Sequence, residues 1–130
     1  MKNANVVYLG LVILVNIFLS ACAGPKLPTS GTPTVFDGMW SGTLEAKGAD
    51  CAGVTTEFQV KYGQIVGKIY QKGSSMADFW GKINLDGKLD ANIGLLGVSA
   101  GGADIKFIEE SAGGTWFSKY CKGNAYLKKM

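Results

Sequence analysis

The chain contains no histidine and no arginine. Without histidine it lacks the commonest general base and the commonest metal ligand, so neither a Ser-His type of active site nor an imidazole-held metal can be built. Without arginine, every positive charge is a lysine. The net charge is only +3, and no basic face concentrates along the sequence, which argues against a nucleic-acid partner. Proline is scarce, with all three copies between positions 25 and 33. Beyond the apolar N-terminal run no stretch repeats with a helical period, and nothing asks for a cofactor. Nineteen glycines and many Val, Ile, Thr and aromatic residues favour strands and turns instead. With 130 residues the chain has room for one small domain.

The only long apolar run is N-terminal. Met1 and Lys2 precede Val6 to Leu19, which is broken by Gly10 and Asn16 alone and ends in Leu19-Ser20-Ala21-Cys22. The run is too short for a transmembrane helix and closes on small residues, as a removable signal does. This pattern resembles the signal of bacterial lipoproteins. The resemblance implies cleavage between Ala21 and Cys22, a diacylglycerol on the Cys22 thiol and an acyl chain on the new amine. Ala23 in the next position resembles outer-membrane sorting in Gram-negative cells. The expected organisation is a signal peptide over 1–21, a lipidated cysteine and tether over 22–35, and one domain over 36–130. The tether holds Pro25, Pro28 and Pro33 among Gly, Ser and Thr. At ~3.1 Å per residue it can reach roughly 40 Å and hold the domain off the membrane.

From Phe36 onward apolar and polar residues alternate with period two, the mark of half-buried antiparallel strands. Strands are predicted near 39–47, 54–62, 65–70, 77–85, 89–93, 104–110, 115–120 and 123–128. A two-residue turn at Gly63-Gln64 would pair Phe58 with Ile69. A three-residue loop at Leu85-Asp86-Gly87 would pair Ile83 with Leu89 and Phe79 with Ile93. Residues 94–103 are small and aperiodic and read as the loosest connection, and Gly113-Gly114 reads as a turn. The sum is an all-β, up-and-down antiparallel meander. Closing it into an eight-stranded barrel removes the edges that invite aggregation.

Gly38-Met39-Trp40, followed by Gly63-Gln64-Ile65-Val66-Gly67, is similar to the opening strands of the avidin and calycin barrels. The resemblance implies a small barrel with Trp40 as an interior plug. Ile69 stands where avidins carry a ligand-touching tyrosine, and their paired-tryptophan strand is missing, so biotin is not implied.

Other motifs dissolve on inspection. Gly97-Val98-Ser99-Ala100-Gly101 matches a nucleophile elbow, but no helix follows and no histidine exists to activate the serine. Asp86, Asp90 and Asn92 lack the alternating oxygens and distal glutamate of a calcium loop. Glu109 and Glu110, read as strand neighbours, point to opposite faces and cannot act as a pair. Lys122, Lys128 and Lys129 read as a solvated strand end. No catalytic or metal site is expected.

Two groups remain. With Cys22 assigned to lipid, Cys51 and Cys121 form a disulfide in an exported protein. They lie in the first and seventh links, which fall at one end of an eight-strand meander, and barrel closure brings them together across the seam. The second group is an outward face. Pairing Ile69 with Phe79 puts Lys68 across from Trp80, Val66 from Lys82 and Tyr70 from Asp78, giving a surface of Lys68, Tyr70, Trp80 and Lys82. The expected function is a non-catalytic binding module on the bacterial envelope, held to the membrane by its lipid and meeting an envelope protein, a foreign protein or a glycan. A small-ligand carrier using the barrel interior is the alternative. Trp40, Phe58, Tyr62, Ile65, Ile69, Phe79, Ile83 and Leu89 are the expected interior.

Overall fold

The alternation produces the expected strands. The computed structural model describes residues 24–47 and 49–130; the signal segment and Cys22 lie outside them. The strands are β1 (Gly38–Ala46), β2 (Val54–Lys61), β3 (Gln64–Gln71), β4 (Ser74–Ile83), β5 (Leu89–Leu95), β6 (Val98–Ile108), β7 (Ser111–Phe117) and β8 (Lys122–Lys129), with a single 3-10 turn at Ala49–Cys51. Each strand pairs antiparallel with the next, and β8 pairs with β1 from Trp40↔Lys129 to Ala46↔Gly123, closing the barrel. Among the described residues no strand is left with an unpaired edge.

Period-two alternation sorts the side chains. On β2, Val54, Thr56, Phe58 and Val60 are buried while Thr55, Glu57 and Gln59 face solvent. The interior is aromatic at its centre. Trp40 meets Phe107 edge-on at 4.8 Å between ring centroids, Phe58 lies parallel to Trp40 at 6.2 Å, and Phe79 meets Phe58 edge-on at 5.4 Å. These are the offset and edge geometries that aromatic quadrupoles favour. The two buried tryptophans each spend their indole N–H on a main-chain carbonyl. Trp40 donates to Phe36 O at 2.8 Å and Trp116 donates to Glu45 O at 3.1 Å. Trp116, Phe107, Ile105 and Ile93 complete a core that the sequence reading assigned only in part.

The β4–β5 loop is as expected. Ile83 pairs with Leu89, Gly81 with Ala91 and Phe79 with Ile93. Asp86 accepts from the Lys88 N–H at 3.0 Å, and Gly87 takes a φ of 87°.

Three expectations are corrected. First, the β2–β3 turn is Tyr62-Gly63, not Gly63-Gln64, with both φ values positive (53° and 74°) as a type I′ turn needs. The register moves by two, to Val60↔Ile65 and Phe58↔Gly67. A shift of two keeps every side chain on its expected face, but it removes Tyr62 from the interior. β3–β4 is likewise shifted by two, to Gly67↔Phe79 and Ile69↔Ala77, with a bulge between Ile69 and Tyr70.

Second, residues 94–103 are not a loose connection. β5 runs to Leu95, Leu96-Gly97 forms a tight turn with φ of 52° and 79°, and β6 starts at Val98. The apolar period vanishes there because the strands come too close for side chains: a Cβ at Gly94 would stand 1.9 Å from Val98 O. Third, Gly113 and Gly114 lie within β7, and the turn before it is Glu109-Glu110. Those two glutamates are therefore turn residues rather than strand neighbours.

Candidate functional site

The barrel interior holds almost no free space. The space left among Leu44, Thr56, Ile69, Phe79, Ile93 and Trp116 offers about 10 Å³ to a water-sized sphere. That is on the order of one water, against the several hundred Å³ of an ordinary ligand pocket. Thr56, the buried polar residue of the core, satisfies its hydroxyl on Lys68 O at 2.9 Å.

The outer wall over β3 and β4 carries the four residues singled out in the sequence, but the corrected register rearranges them. Lys68 faces Asp78, not Trp80, and makes an ion pair with it at 2.6 Å. The hydrogen bond and charge of Asp78 raise the Lys68 pKa above its ordinary value. Trp80 faces Val66, and Lys82 faces Gln64. Tyr70, displaced by the bulge, pairs with Ser75 and lines a separate cleft with Thr43, Thr55 and Glu57. Lys68 and Lys82 are exposed, while Tyr70 and Trp80 are half-buried. The wall is thus a Val66–Trp80 centre flanked by a Lys68–Asp78 pair and by Lys82. The expected juxtaposition of Lys68 with Trp80 is not formed, because the register sets Asp78 across from Lys68 and Val66 across from Trp80.

The tether touches the barrel near this wall. Residues 24–35 form neither helix nor strand. A methyl group added at Gly24 would lie 3.4 Å from Asp78 Oδ2, and one at Gly31 would lie 2.7 Å from Tyr62 Cβ. Trp40 and Trp116 are buried, so Trp80 alone of the three is open to quencher. Iodide is expected to remove only part of the total fluorescence, and Trp80→Phe to abolish that quenchable part. Equal quenching in both proteins would contradict the placement.

A clasp that the sequence reading missed holds the tether's end. Asp37 accepts from the N–H of Tyr62 at 2.8 Å, from the N–H of Gly63 at 3.0 Å and from the Thr34 hydroxyl at 2.7 Å. Burial pushes the Asp37 carboxyl up. The hydrogen bonds outweigh burial and hold its pKa below the ordinary 3.8. Charged Asp37 thus favours the folded state above the ordinary carboxylate range. That contribution is lost as pH falls through the lowered folded value. Below about pH 4 the wild type is expected to lose stability more steeply than Asp37→Asn. Parallel acid unfolding curves for the two proteins would contradict this role.

The disulfide forms as expected. Cys51 and Cys121 are bonded with a Cα separation of 5.8 Å, bridging the β1–β2 and β7–β8 links beside the closing seam. Two grooves open around it. One, of about 1150 Å³, lies beside Lys47, Phe117, Tyr120 and Lys122. The other, of about 800 Å³, is lined by Met76, Leu95, Val98, Lys119 and Tyr120. The second groove is not legible in the sequence, since Leu95 and Val98 fall in a stretch read as a loose connection; the first is built from links on both sides of the closing seam, which only the fold brings together.

The remaining motifs fall on separate elements. Ser99 lies exposed on β6, two residues past a turn, and its hydroxyl bonds Gly101 O at 3.1 Å. Asp90 and Asn92 lie on β5, whereas Asp86 sits in the loop before it. Comparison of the chain with protein families, curated proteins and solved structures yields no match.

Proposed function

We propose that this protein is a bacterial envelope lipoprotein, anchored through acyl chains on Cys22, that works by binding a partner without catalysing a reaction. The anchor reading rests on Leu19-Ser20-Ala21-Cys22 after the apolar run. The observation that carries the binding reading is the filled barrel. With about 10 Å³ of free interior, contacts must be made on the outside. The carrier alternative would require the aromatic core to be displaced. The half-buried Trp80, with Lys82 beside it and the Lys68–Asp78 pair below, is the wall best suited to a protein or glycan, since aromatic anchors among charges dominate such contacts. The absence of histidine supports the non-catalytic part.

The test is crosslinking in the native envelope. A photoreactive residue at Lys82 is expected to capture one recurrent envelope protein or peptidoglycan fragment, and the same residue at Tyr126, on β8, is not. Equal labelling from both positions, or substrate turnover lost in Ser99→Ala, would overturn the proposal.

A further inference from the structure

The exposed apolar residues at the disulfide-bonded end form a connected patch. The β5–β6 tip presents Leu95, Leu96 and Val98 at 62%, 72% and 71% exposure, and Phe117 and Tyr120 reach 56% and 83%. Leu95, Val98 and Tyr120 line one groove; Phe117 and Tyr120 line its neighbour. Lys119 Nζ stands 5.3 Å from the centre of the Tyr120 ring. Charge is also uneven between the two ends. The links at the disulfide end hold Lys47, Lys72 and Lys119 against Asp50, with Lys122 opening β8. The links at the opposite end hold Asp86, Glu109 and Glu110 against Lys88, with Lys61 closing β2 and Lys128 and Lys129 closing β8, so the lysine excess there is smaller. Aromatic and leucine side chains ringed by lysine are the composition of a surface lying in the headgroup region of a bilayer.

The course of the tether points the same way. Gly24 rests beside Asp78, and Asp78 pairs across β5 with Gly94, the residue before Leu95. Only Ala23 separates Gly24 from Cys22. Two Cα steps of 3.8 Å place Cys22 within about 7 Å of Gly24. An acylated Cys22 would therefore bring the bilayer within reach of the β4–β5 flank, next to the strand that leads into the β5–β6 tip.

We propose that the β5–β6 tip and the Phe117–Tyr120 segment insert into the headgroup region of the phospholipid bilayer that holds the anchor. The domain then lies with its disulfide-bonded end on the lipid surface, rather than standing off it at the end of an extended tether. This rests on the reading of Cys22 as the anchor. It leaves the Trp80–Lys82 wall and the acidic links facing away from the membrane or along it. The lysines meet anionic headgroups, and the leucines and aromatics enter below them.

The test uses the full, processed protein reconstituted into vesicles of phosphatidylethanolamine with a minority of phosphatidylglycerol. An environment-sensitive dye is attached through Leu96→Cys, and in a second protein through Leu85→Cys at the opposite end. Mass spectrometry of the N-terminal peptide reports acylation. The Leu96 dye is expected to be several-fold more sensitive to nitroxide-labelled lipid than to aqueous iodide, and the Leu85 dye the reverse. Acylated, vesicle-bound protein whose Leu96 dye is quenched by iodide as strongly as the Leu85 dye overturns the seating and leaves the anchor standing. Shielding of the Leu96 dye from both quenchers, which a second protein copy would produce, also overturns it. Cys22 without acyl groups overturns the anchor and the seating together.

Discussion

Trp40→Ala is expected to cost about 3–5 kcal/mol of folding stability, measured as a lowered urea midpoint. The ring is fully buried, edge-on to Phe107 and parallel to Phe58, so truncation leaves a cavity at the centre of the aromatic cluster. It also removes the indole N–H from Phe36 O, a buried bond at 2.8 Å. An orphaned carbonyl adds about 1–3 kcal/mol when it cannot find water. For a small domain with about 5–15 kcal/mol in all, that is a large share. Trp40→Phe separates the two losses. It retains much of the aromatic packing and still orphans Phe36 O, so it should fall between the wild type and Trp40→Ala. A Trp40→Ala midpoint within experimental error of the wild type would contradict the plug.

Reduction of Cys51–Cys121 is expected to cost nearly as much. The bond joins positions 70 apart, and loop-closure entropy for a ring of that length comes to ~4 kcal/mol, an upper figure if the reduced chain retains structure. The location adds a reason. β1 and β8 are far apart in sequence and meet only at the seam, where Ala46 pairs with Gly123 beside the two cysteines. Without the bridge, that non-local contact must be formed against the full entropy of the intervening chain. Cys51→Ala and Cys121→Ala should each match the reduced wild type, and the double variant should lose nothing further. Oxidised and reduced proteins with one common midpoint would contradict the staple.

The opposite end relies on a polar device. Tyr62 adopts a left-handed φ of 53°, a conformation that costs a non-glycine residue roughly 1–2 kcal/mol. Asp37 offsets that cost by accepting from the N–H groups of Tyr62 and Gly63. The turn therefore sits one residue earlier than Gly63-Gln64, and the β2–β3 register follows it. The Thr34 contact is local, but nothing local marks Asp37 as the holder of this turn, because Tyr62 and Gly63 lie 25 and 26 positions away.

The sequence by itself determined the strand character, the faces of the strands, the closure into eight strands and the cysteine pairing. Each follows from a short-range period or from counting links, and both survive small errors. A register displaced by two still sends Phe58, Ile65 and Phe79 inward, and an odd-numbered link stays at its end wherever its turn begins. Tertiary structure alone decided which glycines turn and which simply make room. Gly97 needs its φ of 79°, whereas Gly123 would place a Cβ 1.8 Å from Glu45 O on a strand distant in sequence. Both needs are written with the same residue, so Gly113-Gly114 read as a turn and 94–103 as a loop. The surface followed the register. The two-residue shift gave Lys68 to Asp78 and Trp80 to Val66. It left the faces unchanged because pleat parity repeats every two residues, but cross-strand partners do not repeat, and they determine what an outward side chain touches.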